Sequence, residues 1–226
     1  MQDRLEAWFP NVMARLTEFW KAFRDTLTMF GIAGAFVLLF RLFFGVLLVT
    51  TRKGGILENA VIYQILDKAI NVFRSIPFII LLTLLLPLTR LIMGTAIGVK
   101  GAIVPLVIGT TPFFSRQVEA ALSEISPGVI EAAESIGMSP VGIIFRVYLR
   151  EGIPMLARAA TITAISLIGA TAMAGAVGAG GLGDFAIRYG HNRYMTDITW
   201  ITTLLLIAFV CVLQIIGNVI AKRSTH

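Results

Sequence analysis

Three glycines near residue 180 have the spacing of a nucleotide-binding loop. Gly178, Gly180 and Gly183 spell G-x-G-x-x-G, a pattern that lets the backbone approach a dinucleotide pyrophosphate. Such a loop needs a preceding strand, a following helix and an acidic residue about 20 positions further on. Here a long apolar run precedes the glycines and a polar loop follows, and no G-x-x-x-x-G-K-[ST] stretch occurs. We therefore predict neither a dinucleotide site nor a P-loop, and no bound cofactor.

Two histidines and one cysteine are the side chains best suited to bind a transition metal. His191 and His226 are far apart and have no acids or cysteines at ligand spacing, so we predict no metal site. Cys211 cannot form an internal disulfide, and in an apolar run it is expected to be a small buried side chain. The sequence therefore predicts no catalytic residue.

The composition is that of a membrane protein. Of the 226 residues, 57% are hydrophobic and 14% are charged, whereas soluble domains have about 25% charged residues. Residues 159–183 and 198–221 contain no charge, and about 20 apolar residues suffice to cross a bilayer as a helix. The runs are continuous rather than alternating, which favours helices over a barrel.

Three further spans are interrupted by charges or prolines, which brings the expected number to five. We predict an all-α membrane fold in which an amphipathic segment, 1–25, precedes a transmembrane domain, 26–222. The predicted spans are 26–50, 65–93, 101–122, 155–178 and 198–221. The first residues have mixed charges and no short apolar core with a cleavage site, so we expect no signal peptide.

The N-terminal segment has one apolar helical stripe. Its members are Leu5, Trp8, Val12, Leu16, Phe19 and Phe23. Such a helix could lie on the membrane surface before the first span. It could equally pack against the other spans, and the sequence leaves both alternatives open.

The charges exclude some functions and favour an orientation. The net charge is +6, but no basic cluster with interleaved aromatics appears, so we predict no nucleic-acid binding. Of the nineteen Lys and Arg residues, ten lie on the expected cytoplasmic side, eight on the other and one, Arg41, inside the first span. This bias favours an external N-terminus and a cytoplasmic C-terminus. Arg41 is expected to reach the headgroups or form an internal ion pair, or alternatively to contact substrate.

Proline and glycine interrupt the spans in a way that favours a transporter over a scaffold. Breaks in membrane helices are tolerated where the freed backbone faces protein or a water-filled path. Secondary transporters and channels without an ATPase form another alternative. The Asp and Glu residues lie at or outside the predicted span ends, which disfavours ion coupling.

A polar insert, 124–152, separates the third and fourth spans. Ser126 and Ser139 can each cap a helix whose first turn holds a proline, and Gly137 can supply the left-handed stop between the two helices. Two apolar stripes are predicted to face inward: Val129, Ile130, Ala133 and Ile136, then Val141, Ile144, Phe145 and Tyr148.

The outer face of the insert should carry two acids. We predict that Glu131 and Glu134 point outward and that Ala132 and Ala133 keep this surface low enough for close approach by another protein. An ordinary solvated helical loop is the alternative.

The insert resembles a known motif. "EAAESIG" is similar to the EAA loop of ATP-binding-cassette (ABC) importer permeases, and the matching residues are Glu131, Ala132, Ala133 and Gly137. Val147 and Leu149 also match that loop, whereas Arg150 replaces its final proline. The stretches "NVFRSIPFIILL", "GAIVPL" and "AMAGAVGAGGLG" extend the resemblance, over nearly the whole chain, to the permease subunits of methionine ABC importers.

The resemblance implies a function. It implies a homodimeric, five-span permease in the bacterial cytoplasmic membrane, with two cytoplasmic ATPase subunits and an external binding protein that delivers L- or D-methionine. It also implies a cytoplasmic EAA loop that docks on the ATPase through Glu131, Ala132, Ala133, Glu134 and Gly137. A permease for another amino acid or small ligand is the alternative within transport.

The last predicted site is a gate in the translocation path. Met173 is the largest flexible side chain among small residues that include Gly175 and Gly178. Small residues let helices approach closely, so two copies of this segment could meet across a dimer axis. Met173 could then close the path as an adaptable apolar plug, or it could simply fill a gap against a neighbouring helix.

Overall fold

The computed structural model describes residues 9–224, and this part of the chain is helical with no strand. The all-α fold is therefore confirmed, whereas Leu5, Trp8 and His226 lie outside the described residues. The helices are α1 (Pro10–Met13), α2 (Leu16–Thr51), α3 (Ala60–Ser75), α4 (Phe78–Leu84), α5 (Leu86–Met93), α6 (Gly98–Ser123), α7 (Pro127–Ser135), α8 (Pro140–Ile143), α9 (Leu149–Glu151), α10 (Ile153–Ala174), α11 (Gly181–Phe185) and α12 (Thr196–Arg223). Three π-helical segments complete the order: Ile144–Tyr148, Gly175–Ala179 and Ala186–His191.

Four helical segments in residues 9–224 are long and apolar enough to cross a membrane. They are Leu16–Thr51, Gly98–Ser123, Ile153–Ala179 and Thr196–Arg223. The predicted second span, 65–93, is divided among α3, α4 and α5. Pro77 explains the first division, because its ring fixes φ and pushes the preceding Ile76 into an extended conformation. The count of five spans stays a prediction.

Residues 16–25 of the predicted amphipathic segment share one helix with the first span. No proline lies between residues 16 and 51, and α2 is continuous over 36 residues, about 54 Å. Val12 and Phe19 are buried in one apolar cluster with Phe185, Tyr189 and Ile198, and Phe23 packs against it. For these residues the packing alternative describes the structure.

The chain divides into two compact units, each with its own apolar core. Unit one holds the described residues up to 35, together with 77–108 and 164–213, and unit two holds 36–76, 109–163 and the described residues from 214. A core of unit one gathers Met29, Leu82, Leu106 and Leu167 among others, and the core of unit two gathers Val49, Val118, Leu122, Ile125, Ala133, Ile143, Val147 and Tyr148.

Glycines let the helices of unit two pack closely. A Cβ at Gly45 of α2 would overlap the side chain of Val118 in α6, and a Cβ at Gly217 of α12 would overlap Thr161 in α10. Small residues at these crossings bring the backbones together, which is how membrane helices gain packing contacts when apolar burial offers no advantage over lipid.

Candidate coupling loop and translocation segment

The start and the end of α7 are fixed by a proline and a glycine. Pro127 lies in the first turn, but the Ser126 side chain makes no capping hydrogen bond, so that part of the prediction is wrong. At the other end Gly137 has φ +76°, as predicted. The Gly137 amide donates to the Glu134 carbonyl at 2.9 Å, and the Met138 amide donates to the Ala133 carbonyl at 3.1 Å. These two bonds form a Schellman motif, which needs a left-handed residue at Gly137.

The second half of the loop starts with the predicted cap. Ser139 Oγ accepts a hydrogen bond from the Gly142 amide at 3.2 Å, and Pro140 occupies the first turn of α8. The chain then widens into the π-helical segment Ile144–Tyr148 before α9. The loop is therefore two short helical pieces folded at Gly137.

The buried face of the loop differs from the predicted stripes. Ala133, Ile143, Val147 and Tyr148 are buried against Val49 of α2 and against Val118 and Leu122 of α6. The predicted inward residues Val129, Ile136, Val141 and Phe145 are instead 45%, 77%, 62% and 65% exposed. The π-helical segment Ile144–Tyr148 has more residues per turn than an α-helix, so it turns Phe145 away from the α-helical stripe. Val129, Ile136 and Val141 precede this segment, and it does not explain their exposure.

The opposite face of the loop is a mixed acidic and apolar surface. Glu131, Ala132 and Glu134 are exposed, and neither glutamate forms an ion pair within residues 9–224. Ala133, predicted both in the inward stripe and on this surface, is 6% exposed and packs in the core, so the inward prediction is confirmed and the outward one is wrong. Contiguous exposed apolar side chains next to unpaired acids are typical of a surface that another protein covers.

Tyr148 lies at the centre of the contact between the loop and the membrane helices. Its side chain is 2% exposed, and burial raises the pKa of its phenol above the usual value. The phenol therefore stays neutral at physiological pH, and it fixes the loop by packing rather than by charge.

The predicted gate residues lie at a break that follows α10: Met173 is in the last turn of the helix, and Gly175 and Gly178 come after it. The helix ends at Ala174, and non-helical geometry follows at Val177 and at Gly178, whose φ is +93°. Gly180 and Gly181 also have positive φ values, of +79° and +80°. Such conformations are accessible mainly to glycine, so this turn depends on its glycine-rich sequence.

The turn after α10 folds back onto the helix. A Cβ at Gly175 would lie 2.9 Å from the Gly180 carbonyl oxygen, so only glycine allows this approach. The Leu182 amide donates to Thr26 Oγ1 at 2.8 Å, which ties the turn to α2 within unit one.

The three predicted gate residues occupy different environments. Gly175 is buried by the returning turn, Gly178 forms the turn itself, and Met173 is 44% exposed. Nearly half of the Met173 surface is therefore open to contact with a second protein or with a transported molecule.

Arg41 differs from its first predicted roles. Its side chain is 4% exposed, so it does not extend to the membrane surface, and it forms no ion pair within residues 9–224. Its Nη1 donates to Thr163 Oγ1 at 2.6 Å, whereas Nε has no hydrogen-bond partner in the part of the chain that is described.

The remaining chemically reactive candidates lie apart. No group of three His, Cys, Asp or Glu side chains in residues 9–224 could hold a metal ion. Cys211 is exposed on α12, so the expected burial is wrong. The G-x-G-x-x-G stretch forms the turn after α10, with a helix rather than a strand before it.

An ion network that the sequence analysis did not anticipate joins α3 to α6. The guanidinium of Arg116 pairs with Asp67, and its Nη1 donates to Glu119 Oε2 at 2.7 Å. Arg116 and Glu119 have the i, i+3 spacing of a helical ion pair, which is a local signal. Asp67 lies 49 residues away from Arg116, and no local pattern links the two.

These features define a class of protein. Long apolar helices, a broken helix next to exposed small residues, and a rigid polar loop with an uncovered face together form the membrane subunit of a multi-protein transporter. Residues 42–226 match the family described as "Binding-protein-dependent transport system inner membrane component". The chain belongs to this family.

Similar proteins cover nearly the full length of the chain. The chain is 44% identical to "Probable D-methionine transport system permease protein MetI" of Vibrio cholerae, over 99% of this chain and 98% of that protein. It is also 44% identical to "Methionine import system permease protein MetP" of Bacillus subtilis, over 96% and 99% of the two chains. A solved chain of the MetNI methionine ABC transporter in inward-facing conformations is 43% identical, with a TM-score of 0.91 and coverage of 94% and 99%.

Replacing Gly137 tests the geometry of the loop. Nothing lies within 4 Å of a Cβ at this position, so Gly137→Val is strained by its positive φ and not by a clash. A left-handed conformation costs a residue with a Cβ ~1–2 kcal/mol, and a branched side chain resists it further. We expect Gly137→Val to loosen the loop while the protein still inserts in the membrane, measured as faster proteolysis within 124–152.

Gly128→Val is the matched control, because Gly128 lies in α7 and its Cβ would meet only Ser126 Oγ at 3.8 Å. Asparagine tolerates the left-handed region, so Gly137→Asn should behave more like the wild type than Gly137→Val. Equal protease resistance of Gly137→Val and wild type would contradict the role of this turn.

Proposed function

We propose that the chain is the permease subunit of an ATP-driven methionine importer in the bacterial cytoplasmic membrane. The observation that carries the proposal is the loop at Gly137, which is anchored on one face by Ala133 and exposed on the other at Glu131 and Glu134. The chain is 44% identical, over nearly its full length, to proteins named as methionine permeases. This similarity supports methionine, in the L- and D-forms, as the substrate.

The loop transmits force from an ATPase. The chain has no P-loop sequence, so ATP hydrolysis falls to a cytoplasmic partner that docks on Glu131, Ala132 and Glu134 and on the exposed apolar residues beside them. Because Ala133 and Tyr148 pack against α2 and α6, a displacement of the loop moves the ends of these helices with it. Two copies of the chain alternate access to a shared path, and an external binding protein supplies the substrate.

Reconstituted transport tests this function directly. We expect liposomes that contain the chain and its ATPase to accumulate labelled methionine only with ATP inside and the binding protein outside. Stronger uptake of another amino acid would favour the alternative substrate, and uptake without ATP would favour a secondary transporter.

We further propose that the N-terminus is external and the C-terminus cytoplasmic. In a Cys211→Ala background, Ser135→Cys should react with an impermeant thiol reagent only from the cytoplasm, and Asn192→Cys only from outside. Both native residues are exposed, so neither label needs unfolding. Labelling of both cysteines from the same side would contradict the five-span topology, in which one span, 155–178, separates the two positions. The assay uses cells that lack the ATPase partner, which would otherwise cover Ser135.

The gate proposal assigns the seal of the path to Met173, with Gly175 and Gly178 shaping the backbone behind it. Across a dimer axis, two exposed Met173 side chains form an adaptable apolar plug. The path opens when the two subunits separate at this level. In the packing alternative Met173 instead fills a gap against a neighbouring helix.

Thiol access distinguishes a gate from packing. A Cβ at Gly169 meets nothing within 4 Å, so Gly169→Cys reports on the path without a clash. We expect Met173→Ala to raise the labelling rate of this cysteine several-fold in the ATP-free complex, because the smaller side chain leaves the seal incomplete. Ile207→Ala, an exposed apolar residue of α12, is the control and should leave the rate unchanged. Equal labelling rates in both variants would assign Met173 to packing.

A further inference from the structure

A cavity of unit two lies between the end of α6 and the start of α10. Its volume is about 270 Å³, and its lining includes Gln117, Ala120, Glu124, Met155, Arg158 and Ile162. Small-molecule sites are typically about 300–1,000 Å³, so a cavity of this size suits a ligand no larger than a single amino acid.

The cavity carries two opposite charges that are not paired with each other. Glu124 and Arg158 are both exposed, and neither forms an ion pair within residues 9–224. Gln117 adds a polar group, because its Oε1 atom is buried and has no hydrogen-bond partner in the described part of the chain. Because this atom has almost no exposed surface, it meets a ligand donor only when the Gln117 side chain rotates toward the cavity, and that rotation relieves a costly unpaired acceptor.

The apolar part of the cavity has a different character. Met155 and Ile162 are on α10, and Ala120 on α6 leaves room between the two helices. A thioether is soft and polarisable and packs well against such aliphatic side chains. The cavity thus offers a cation, an anion, an amide acceptor and an apolar wall within the volume of one amino acid.

We propose that this cavity is a binding site for a zwitterionic amino acid with an apolar side chain, namely methionine on its way out of the transporter. Arg158 binds the carboxylate, Glu124 and Gln117 Oε1 accept from the ammonium group, and Met155 and Ile162 contact the thioether chain. The proposal rests on the function proposed above and adds the residues that hold the substrate at the cytoplasmic end of its path.

The position of the cavity links substrate release to the coupling loop. Glu124 directly follows α6 where the chain enters the loop, and Arg158 lies in the second turn of α10, where the chain has left it. Movement of the loop relative to α10 changes the separation of the two charges.

Direct binding measurements on the permease–ATPase complex test the site. Labelled methionine is titrated into the complex in lipid nanodiscs, without the binding protein or ATP. We expect Arg158→Gln and Glu124→Gln each to weaken binding by about 10-fold or more, as loss of a hydrogen bond to a charged group predicts. Lys53→Gln removes an exposed charge outside the cavity and should bind like the wild type.

Ligand analogues assign each charge to its partner. Methioninol lacks the carboxylate, so wild type should bind it more weakly than methionine. Arg158→Gln should then weaken the binding of methioninol little further. N-acetylmethionine lacks the ammonium group and should show the same insensitivity to Glu124→Gln. Protection of an Ala120→Cys variant from thiol labelling by methionine, in a Cys211→Ala background, locates the ligand without altering either charge.

The outcomes separate this inference from the proposed function. If Arg158→Gln and Glu124→Gln bind methionine as wild type does, and methionine gives Ala120→Cys no protection, the cavity is not a site. Any binding then belongs to the ATPase, while ATP-dependent uptake by the wild type still supports the importer. If uptake of methionine itself fails but another amino acid protects Ala120→Cys, the site stands and its assigned ligand is wrong.

Discussion

Backbone polar groups have no water to bind in the hydrocarbon core of a membrane, so a chain can leave the helix there only where protein supplies the missing partners. The turn after α10 meets this constraint within unit one. Its Leu182 amide binds Thr26 Oγ1, and Gly175 lets the returning backbone lie against the helix it has left. The glycines make the break possible, and the hydroxyl of α2 makes it stable. The break leaves Met173 beside it with an exposed side chain.

The loop at 124–152 uses the opposite arrangement, since apolar packing rather than hydrogen bonding holds it in place. Ala133 and Tyr148 join a core with Val49 and Leu122, so apolar contacts connect the loop to the ends of two membrane helices. The Schellman turn at Gly137 fixes the angle between the two halves of the loop. The packed face and the turn thus fix the side of the loop on which Glu131, Ala132 and Glu134 are exposed.

Local signals explain which parts of this fold could be predicted. Pro127, Gly137 and Ser139 each restrict their own backbone or bind their nearest amides, so the two-helix loop followed from the sequence. The buried face followed only at Ala133 and Tyr148, because the π-helical segment Ile144–Tyr148, where Val147 is buried and Phe145 exposed, depends on packing against α2 and α6. The same limit applies to the Arg116–Asp67 pair, which no local spacing links. Pro77 signalled a break, but composition alone could not show that 65–93 would be divided.

Arg41 connects α2 to α10 one turn away from Ala159 in the cavity lining. A buried charge is costly, and within residues 9–224 the Arg41 side chain makes one hydrogen bond, to Thr163 Oγ1. The same hydroxyl donates to the Ala159 carbonyl at 2.7 Å, so one side chain of α10 joins the guanidinium of α2 to its own preceding turn. Ala159 lines the cavity next to Arg158. Because Val49 of α2 also packs against the loop core, α2 contacts both the loop and the turn of α10 that lines the cavity.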